Sequence, residues 1–155
     1  MANPFMERAI ALARENVRSG RGGPFGTVVA RDGQIVAEGT NQVIATNDPT
    51  AHAEVVAIRE ACRRLGSNQL QGCEIYTSCE PCPMCLGAIY WARPARVYYG
   101  ATRQDAAGSE FDDSLIYEEA ARPVDQRRIP MEGLMREEAL LAFRDWDALP
   151  VKFRY

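Results

Sequence analysis

The chain has one histidine, His52, and further along a run of three cysteines, Cys79, Cys82 and Cys85, in "SCEPCPMC". Imidazole and thiolate are the donors zinc prefers. Structural zinc sites close all four positions with protein ligands, and catalytic ones leave a position for water. If His52 binds the same ion as Cys82 and Cys85, two segments far apart in the sequence must converge on one point. That is the strongest constraint this sequence places on its fold. Both segments read as the starts of helices. "HAEVVAIREACRRLG" carries Val55, Ile58, Cys62 and Leu65 on one stripe and ends at Gly66, where a left-handed cap is expected. "CPMCLGAIYWA" reads as a second helix, introduced by Pro81. Cys82 and Cys85 stand three apart, so on a helix they share a face and can grip one ion. Two helix N-termini aimed at that ion would favour thiolates through their partial positive charge.

Glu54 lies two positions after His52. Along a regular helix the two cannot share a face, but in a first turn both can reach a site lying across the helix end. A carboxylate there can take a proton from a metal-activated water and hand it on, which makes Glu54 the candidate general base. Cys79 leaves an alternative open, because Cys79 and Cys82 also form a C-x-x-C pair. With Cys79 as a fourth ligand the site would be closed, and the chain would be a zinc-stabilised binding module without turnover. An iron–sulfur centre would need a fourth cysteine at a spacing that is absent. Cys62 and Cys73 read as core.

The remaining segments arrange themselves around these two helices. Asn3 can cap a first helix, with Pro4 in its first turn and Met6, Ala9, Ile10, Ala13 and Val17 at helical spacing. "TVVARDGQIVAEG" reads as a hairpin turning at Asp32-Gly33, and "CEIYTS" and "RVYYGA" as strands. The order helix, hairpin, helix, strand, helix, strand predicts an α/β fold, a three-layer α/β/α sandwich around a mixed central sheet. Beyond Ala101, "TRQDAAGSEFDDS" reads as a polar loop, "LIYEEAA" as a short helix and "EEALLAFRDW" as a C-terminal helix. The aromatic end "PVKFRY" follows. No repeat, linker or low-complexity tract interrupts the chain, so one domain over 1–155 is expected.

Composition narrows the function classes. The 155 residues are 46% hydrophobic and 25% charged, as in soluble globular domains. A net charge of −3 argues against a nucleic-acid partner, whose affinity draws on lysine and arginine. No apolar run approaches the roughly 20 residues that span a bilayer, so no membrane partner is expected. "MANPFMERAIALARENVRSG" scatters charge where a signal peptide has an apolar core, and the expected location is the cytoplasm. In that setting, crowded cysteines favour metal or redox chemistry over a disulfide framework.

His52-Ala53-Glu54 followed by Pro81-Cys82-x-x-Cys85 resembles the signature of zinc-dependent nucleobase deaminases. "GGPFG", "NDPTAHAE", "YTSCEPCPMC", "EPCPMCLGAIYWARP" and "EFDDSLIY" together resemble the cytidine deaminase superfamily and, more narrowly, its guanine deaminases. The resemblance covers most of the chain and is weakest toward the C-terminus. It implies a cytidine deaminase-like fold, a zinc ion held by His52, Cys82 and Cys85, and Glu54 as proton shuttle. Cys79 matches no ligand position, which favours the open site. The resemblance also implies Asn41 as a substrate-binding amide, Phe25 as a pocket aromatic and Asp113 as an acidic contact to the base or its leaving amino group. Tyr155 would end a helix and tail, about 137–155, that folds over a pocket. The implied reaction is the hydrolytic deamination of a purine, guanine, to xanthine and ammonia. The implied assembly is a homodimer, with the C-terminal segment a candidate for exchange between subunits. Deamination of a tRNA adenosine, or of another free base such as cytosine, is the alternative the shared motifs leave open.

Overall fold

Asn3 opens the first helix: its side-chain oxygen accepts hydrogen bonds from the N–H groups of Phe5 and Met6, both at 3.0 Å. The computed structural model describes residues 2–155, and helix α1 runs over Pro4–Arg18. Strands β1 (Gly26–Arg31) and β2 (Gln34–Thr40) form the expected hairpin. It turns at Asp32 and Gly33, both at positive φ, 52° and 75°. A short helix α2 (Val43–Thr46) precedes α3 (Ala53–Leu65), which ends at Gly66 in the left-handed region. Strand β3 (Glu74–Cys79), helix α4 (Pro83–Ala92) and strand β4 (Arg96–Ala101) follow.

The sheet has the order β2-β1-β3-β4, with β1 antiparallel to β2 and β3, and β3 parallel to β4. A parallel neighbour needs a crossover, and α4 supplies it. Side chains alternate across β1 and β3, so the core divides into two layers. Val28, Ala30 and Tyr76 pack with Ala9 and Leu12 of α1. Val29, Ala37 and Ile75 pack with Ala57, Ile58 and Ala61 of α3 and with Ile89 and Ala92 of α4. The three-layer α/β/α sandwich around a mixed sheet is therefore as expected.

Several local expectations are corrected. Helix α1 buries Ala9, Leu12, Ala13 and Asn16, while Ile10 and Val17, expected on its buried stripe, are 42% and 50% exposed. The cause is close approach. A Cβ at Gly26 would run into the backbone of Ala9 and Ala13, so only small residues fit where α1 crosses β1. Helix α4 begins at Pro83 rather than after Pro81, with Cys82 as its N-cap. The expected polar loop after Ala101 contains helix α5 (Arg103–Ala107), started by a capping box between Thr102 and Asp105. Cys73 is buried as expected. Cys62 is half-buried at the edge of the α3 core.

The chain divides into two compact units, one up to Asp113 and one over Ser114–Tyr155. The second contains α6 (Ser114–Ala121), a 3-10 turn (Val124–Gln126) and α7 (Arg136–Ala148), and none of its residues is buried. Within it Glu119 pairs with Arg122 at 3.1 Å. No described helix is long and apolar enough to cross a membrane.

Gly39 fixes the seat of α3 on β2. A Cβ there would collide with the carbonyl oxygen of Ala53 and the N–H of Ala57. Gly39→Ala should therefore destabilise the protein by about 1–3 kcal/mol through overpacking, read from denaturant unfolding midpoints. A change below about 0.5 kcal/mol, the size of an ordinary surface substitution, would contradict this seat.

Candidate metal centre

Helices α3 and α4 start side by side, and each places a would-be ligand at its N-cap. His52 caps α3 with φ −69° and ψ 155°, and Cys82 caps α4 with φ −65° and ψ 168°. Neither makes a side-chain capping hydrogen bond. Serine, threonine, aspartate or asparagine would contribute about 1 kcal/mol of helix stability there, so these positions forgo it. What the side chains do instead is converge. The Sγ atoms of Cys82 and Cys85 each lie 3.5 Å from His52 Nδ1. The three ligand atoms all fall within 4.8 Å of one another. A tetrahedral ion with Zn–S of about 2.3 Å and Zn–N of about 2.0 Å would space sulfur and nitrogen about 3.5 Å apart, so both sulfur–nitrogen separations fit zinc.

The electrostatics agree with the geometry. Both helix N-termini bring partial positive charge to the thiols. The hydrogen bond from Cys85, and then His52, hold the Cys82 thiol below the usual thiol range. Cys85 is buried at the third position of α4 and shifts the other way, first through its bond to Cys82 and then through burial. A bound dication would press both toward thiolate.

Cys79, the possible fourth ligand, points elsewhere. It is 6% exposed, its thiol donates to the carbonyl oxygen of Thr102 at 3.6 Å, and burial pushes it up to about 11. It is absent from the convergent group, so among the described residues the set has three protein ligands and an open position.

Glu54 reaches this site because His52 is not yet helical. With His52 extended and Glu54 in the first turn of α3, the two side chains face the same point. Glu54 is 5% exposed. Its Oε2 accepts from the Cys85 thiol at 3.4 Å, its Oε1 lies 3.4 Å from the Thr77 hydroxyl, and burial raises its pKa.

The other expected residues have these surroundings. Backbone bonds lace them: Asn41 N–H donates to Phe25 O at 3.2 Å, and Gln42 N–H to Ala51 O at 2.9 Å, beside His52. Asn41 is 9% exposed, and its Oδ1 accepts from Val43 N–H at 3.3 Å, leaving its NH2 group to donate to a ligand. Phe25 meets Phe111 edge-on, with ring centroids 5.0 Å apart. Partial burial, and then the charge of Cys82, hold the Asp113 carboxyl above the usual carboxylate range. Tyr155 belongs to the second unit and is 72% exposed.

Three contributors went unread in the sequence. Phe111 carried a signal, an aromatic alone in the polar stretch "EFDDS". Asn16 carried none: buried in α1, its amide donates to Gly23 O at 3.0 Å and Asn41 O at 2.9 Å, tying together the loops that hold Phe25 and Asn41. Nor did the buried hydroxyl pair of Thr27 and Thr77, whose oxygens are 3.0 Å apart.

His52, Cys82 and Cys85 thus form one convergent set of donors that could hold a metal ion, with the buried carboxylate of Glu54 beside it. The family model for the cytidine and deoxycytidylate deaminase zinc-binding region matches residues 2–101, and the chain belongs to that family. Within it, the chain is 55% identical to the guanine deaminase of Bacillus subtilis (strain 168), over 97% of each protein. The X-ray structure of guanine deaminase from Bacillus subtilis superposes with a TM-score of 0.96 at 54% identity, covering 99% of both chains. A tRNA-specific adenosine deaminase from Agrobacterium fabrum is 41% identical, over 73% of this chain and 72% of its own length.

The open site predicts a specific pattern of metal retention. Cys79→Ser should keep about one zinc per chain, while His52→Ala and Cys82→Ser should lose most of it, measured by metal analysis after dialysis. Loss of zinc from Cys79→Ser with the fold intact would mean that the site is closed by a fourth protein ligand.

Proposed function

We propose that this protein hydrolyses guanine to xanthine and ammonia at the zinc site, with Glu54 as the general base. The observation that carries this reading is the near-complete match to a guanine deaminase in both sequence and fold, joined to a three-ligand set with a buried carboxylate beside its open position. Bound by His52, Cys82 and Cys85, zinc supplies a nucleophilic water near neutral pH. The carbon bearing the exocyclic amine of guanine is amidine-like and a poor electrophile until its neighbouring nitrogen is protonated. Glu54 takes the proton released by the attacking water and delivers it to that ring nitrogen. A further transfer to the amine lets ammonia leave. A carboxylate raised by burial suits this work, because it holds the proton between steps more readily than an exposed one.

The NH2 group of Asn41 donates to an acceptor on the purine edge, and Phe25 packs a ring face. Asp113, partly desolvated and near Cys82, accepts from the amino group that departs. The protein works in the cytoplasm on this small substrate and as a homodimer. The exposure of the second unit supports the dimer: Leu134, Phe143, Phe153 and Tyr155 are 84%, 67%, 82% and 72% exposed. So much apolar surface on one segment calls for a cover. The segment from about 137 to 155 closes over a substrate pocket, in exchange between subunits.

Two experiments test these statements. Ammonia release is measured with guanine, adenine, cytosine, cytidine and a tRNA anticodon stem, using Glu54→Gln as control. Guanine turnover is expected, falling by about 100-fold or more in Glu54→Gln with zinc retained. Turnover of the tRNA stem or cytosine instead would keep the zinc chemistry and overturn the substrate. Truncation after Lys152 removes Tyr155 and should raise KM for guanine about tenfold or lower kcat by as much, an effect on the order of one lost buried contact. Unchanged kinetics would remove the lid.

A further inference from the structure

Thr27 and Thr77 are register partners on the antiparallel pair β1 and β3. Both are fully buried, 0% and 1% exposed. They extend the rows of Val29 and Ile75, on the sheet face that packs against α3 and α4. On that apolar face valine would fill the same volume and suit a strand as well. A hydroxyl there carries a desolvation cost unless it is bonded. The two hydroxyls meet at 3.0 Å, and Thr77 Oγ1 also lies 3.4 Å from Glu54 Oε1. An ionised carboxylate only accepts, so Thr77 must donate to Glu54 and in turn accept from Thr27.

We infer that Thr77, backed by Thr27, is a positioning residue for Glu54, tethering Oε1 so that Oε2 faces the reacting water. This rests on the reading of Glu54 as the general base. The only other side chain bonded to Glu54 among the described residues is the Cys85 thiol, on Oε2. A thiolate bound to zinc has no proton to donate, so in the loaded site the Thr77 hydroxyl is the side-chain donor that remains. The two oxygens of Glu54 thereby divide their work. Oε1 is anchored to the sheet, and Oε2 stays available to the substrate. The Thr27 hydroxyl polarises Thr77 and fixes the direction of its proton.

Shape and hydrogen bonding can be separated at Thr77, because valine keeps its volume and serine keeps its hydroxyl. Thr77→Val should lower kcat for guanine about 10-fold or more, the usual effect of removing an outer partner from a metal site. KM and zinc content should stay near wild type, and Thr77→Ser should recover most of kcat. Thr27→Val should show a smaller loss. Thr27→Val with Thr77→Val removes both hydroxyls, leaves neither unpaired, and should be no slower than Thr77→Val alone. A crystal structure of zinc-loaded Thr77→Val should show Glu54 displaced from its wild-type rotamer. If Thr77 only packs, the order reverses: valine is harmless, serine is the damaging change through its lost methyl, and Glu54 does not move. That result overturns the inference. The rotamer is read independently of turnover, so an inactive wild type would count against guanine as substrate without touching this tether.

Discussion

Two helix N-termini must meet within the coordination radius of one small dication, and most of the first unit is arranged to make that possible. His52 and Cys82 occupy N-caps and forgo capping bonds there. Cys85 follows one turn into α4, and Glu54 in the first turn of α3. The sheet sets where these helices begin. β3 delivers the chain to Cys82 at its C-terminal end, and Gly39 of β2 lets α3 sit directly on the backbone. The ligand atoms then lie at zinc-compatible separations with side chains of quite different reach.

The second constraint is the cost of a buried carboxylate. Glu54 is nearly inaccessible, which would be strongly unfavourable for an isolated charge. The site offsets that cost with the positive ends of α3 and α4, with His52, and with zinc when bound. Burial also holds the Glu54 carboxyl above the usual carboxylate range.

The chemistry was more legible in the sequence than the packing. Soft donors at His52, Cys82 and Cys85 declare a metal through their own chemistry, and Glu54 declares its place through its distance from His52. Asn3, Pro4, Asp32-Gly33 and Gly66 mark helix ends and a turn because their backbone requirements are local. What was lost depends on partners far away in the chain. The buried face of α1 is set by its crossing over Gly26, which no periodicity within α1 records. Pro81 and Pro83 both suit a helix start, and the convergence of Cys82 on His52 separates them. The Thr27–Thr77 pair exists only through strand register across 50 residues. Leu141, Phe143 and Trp146 of α7 are exposed, which the sequence pattern of that helix does not account for.

An open zinc site and a closed one differ in the fourth atom on the metal. X-ray absorption at the zinc edge of the purified protein distinguishes the two, because sulfur and lighter ligands differ in distance, about 2.3 Å against about 2.0 Å. Two sulfur scatterers and two nitrogen or oxygen scatterers are expected: the thiolates of Cys82 and Cys85, the imidazole of His52, and a water. Three sulfurs and one nitrogen would place Cys79 on the metal, close the site, and contradict hydrolysis there.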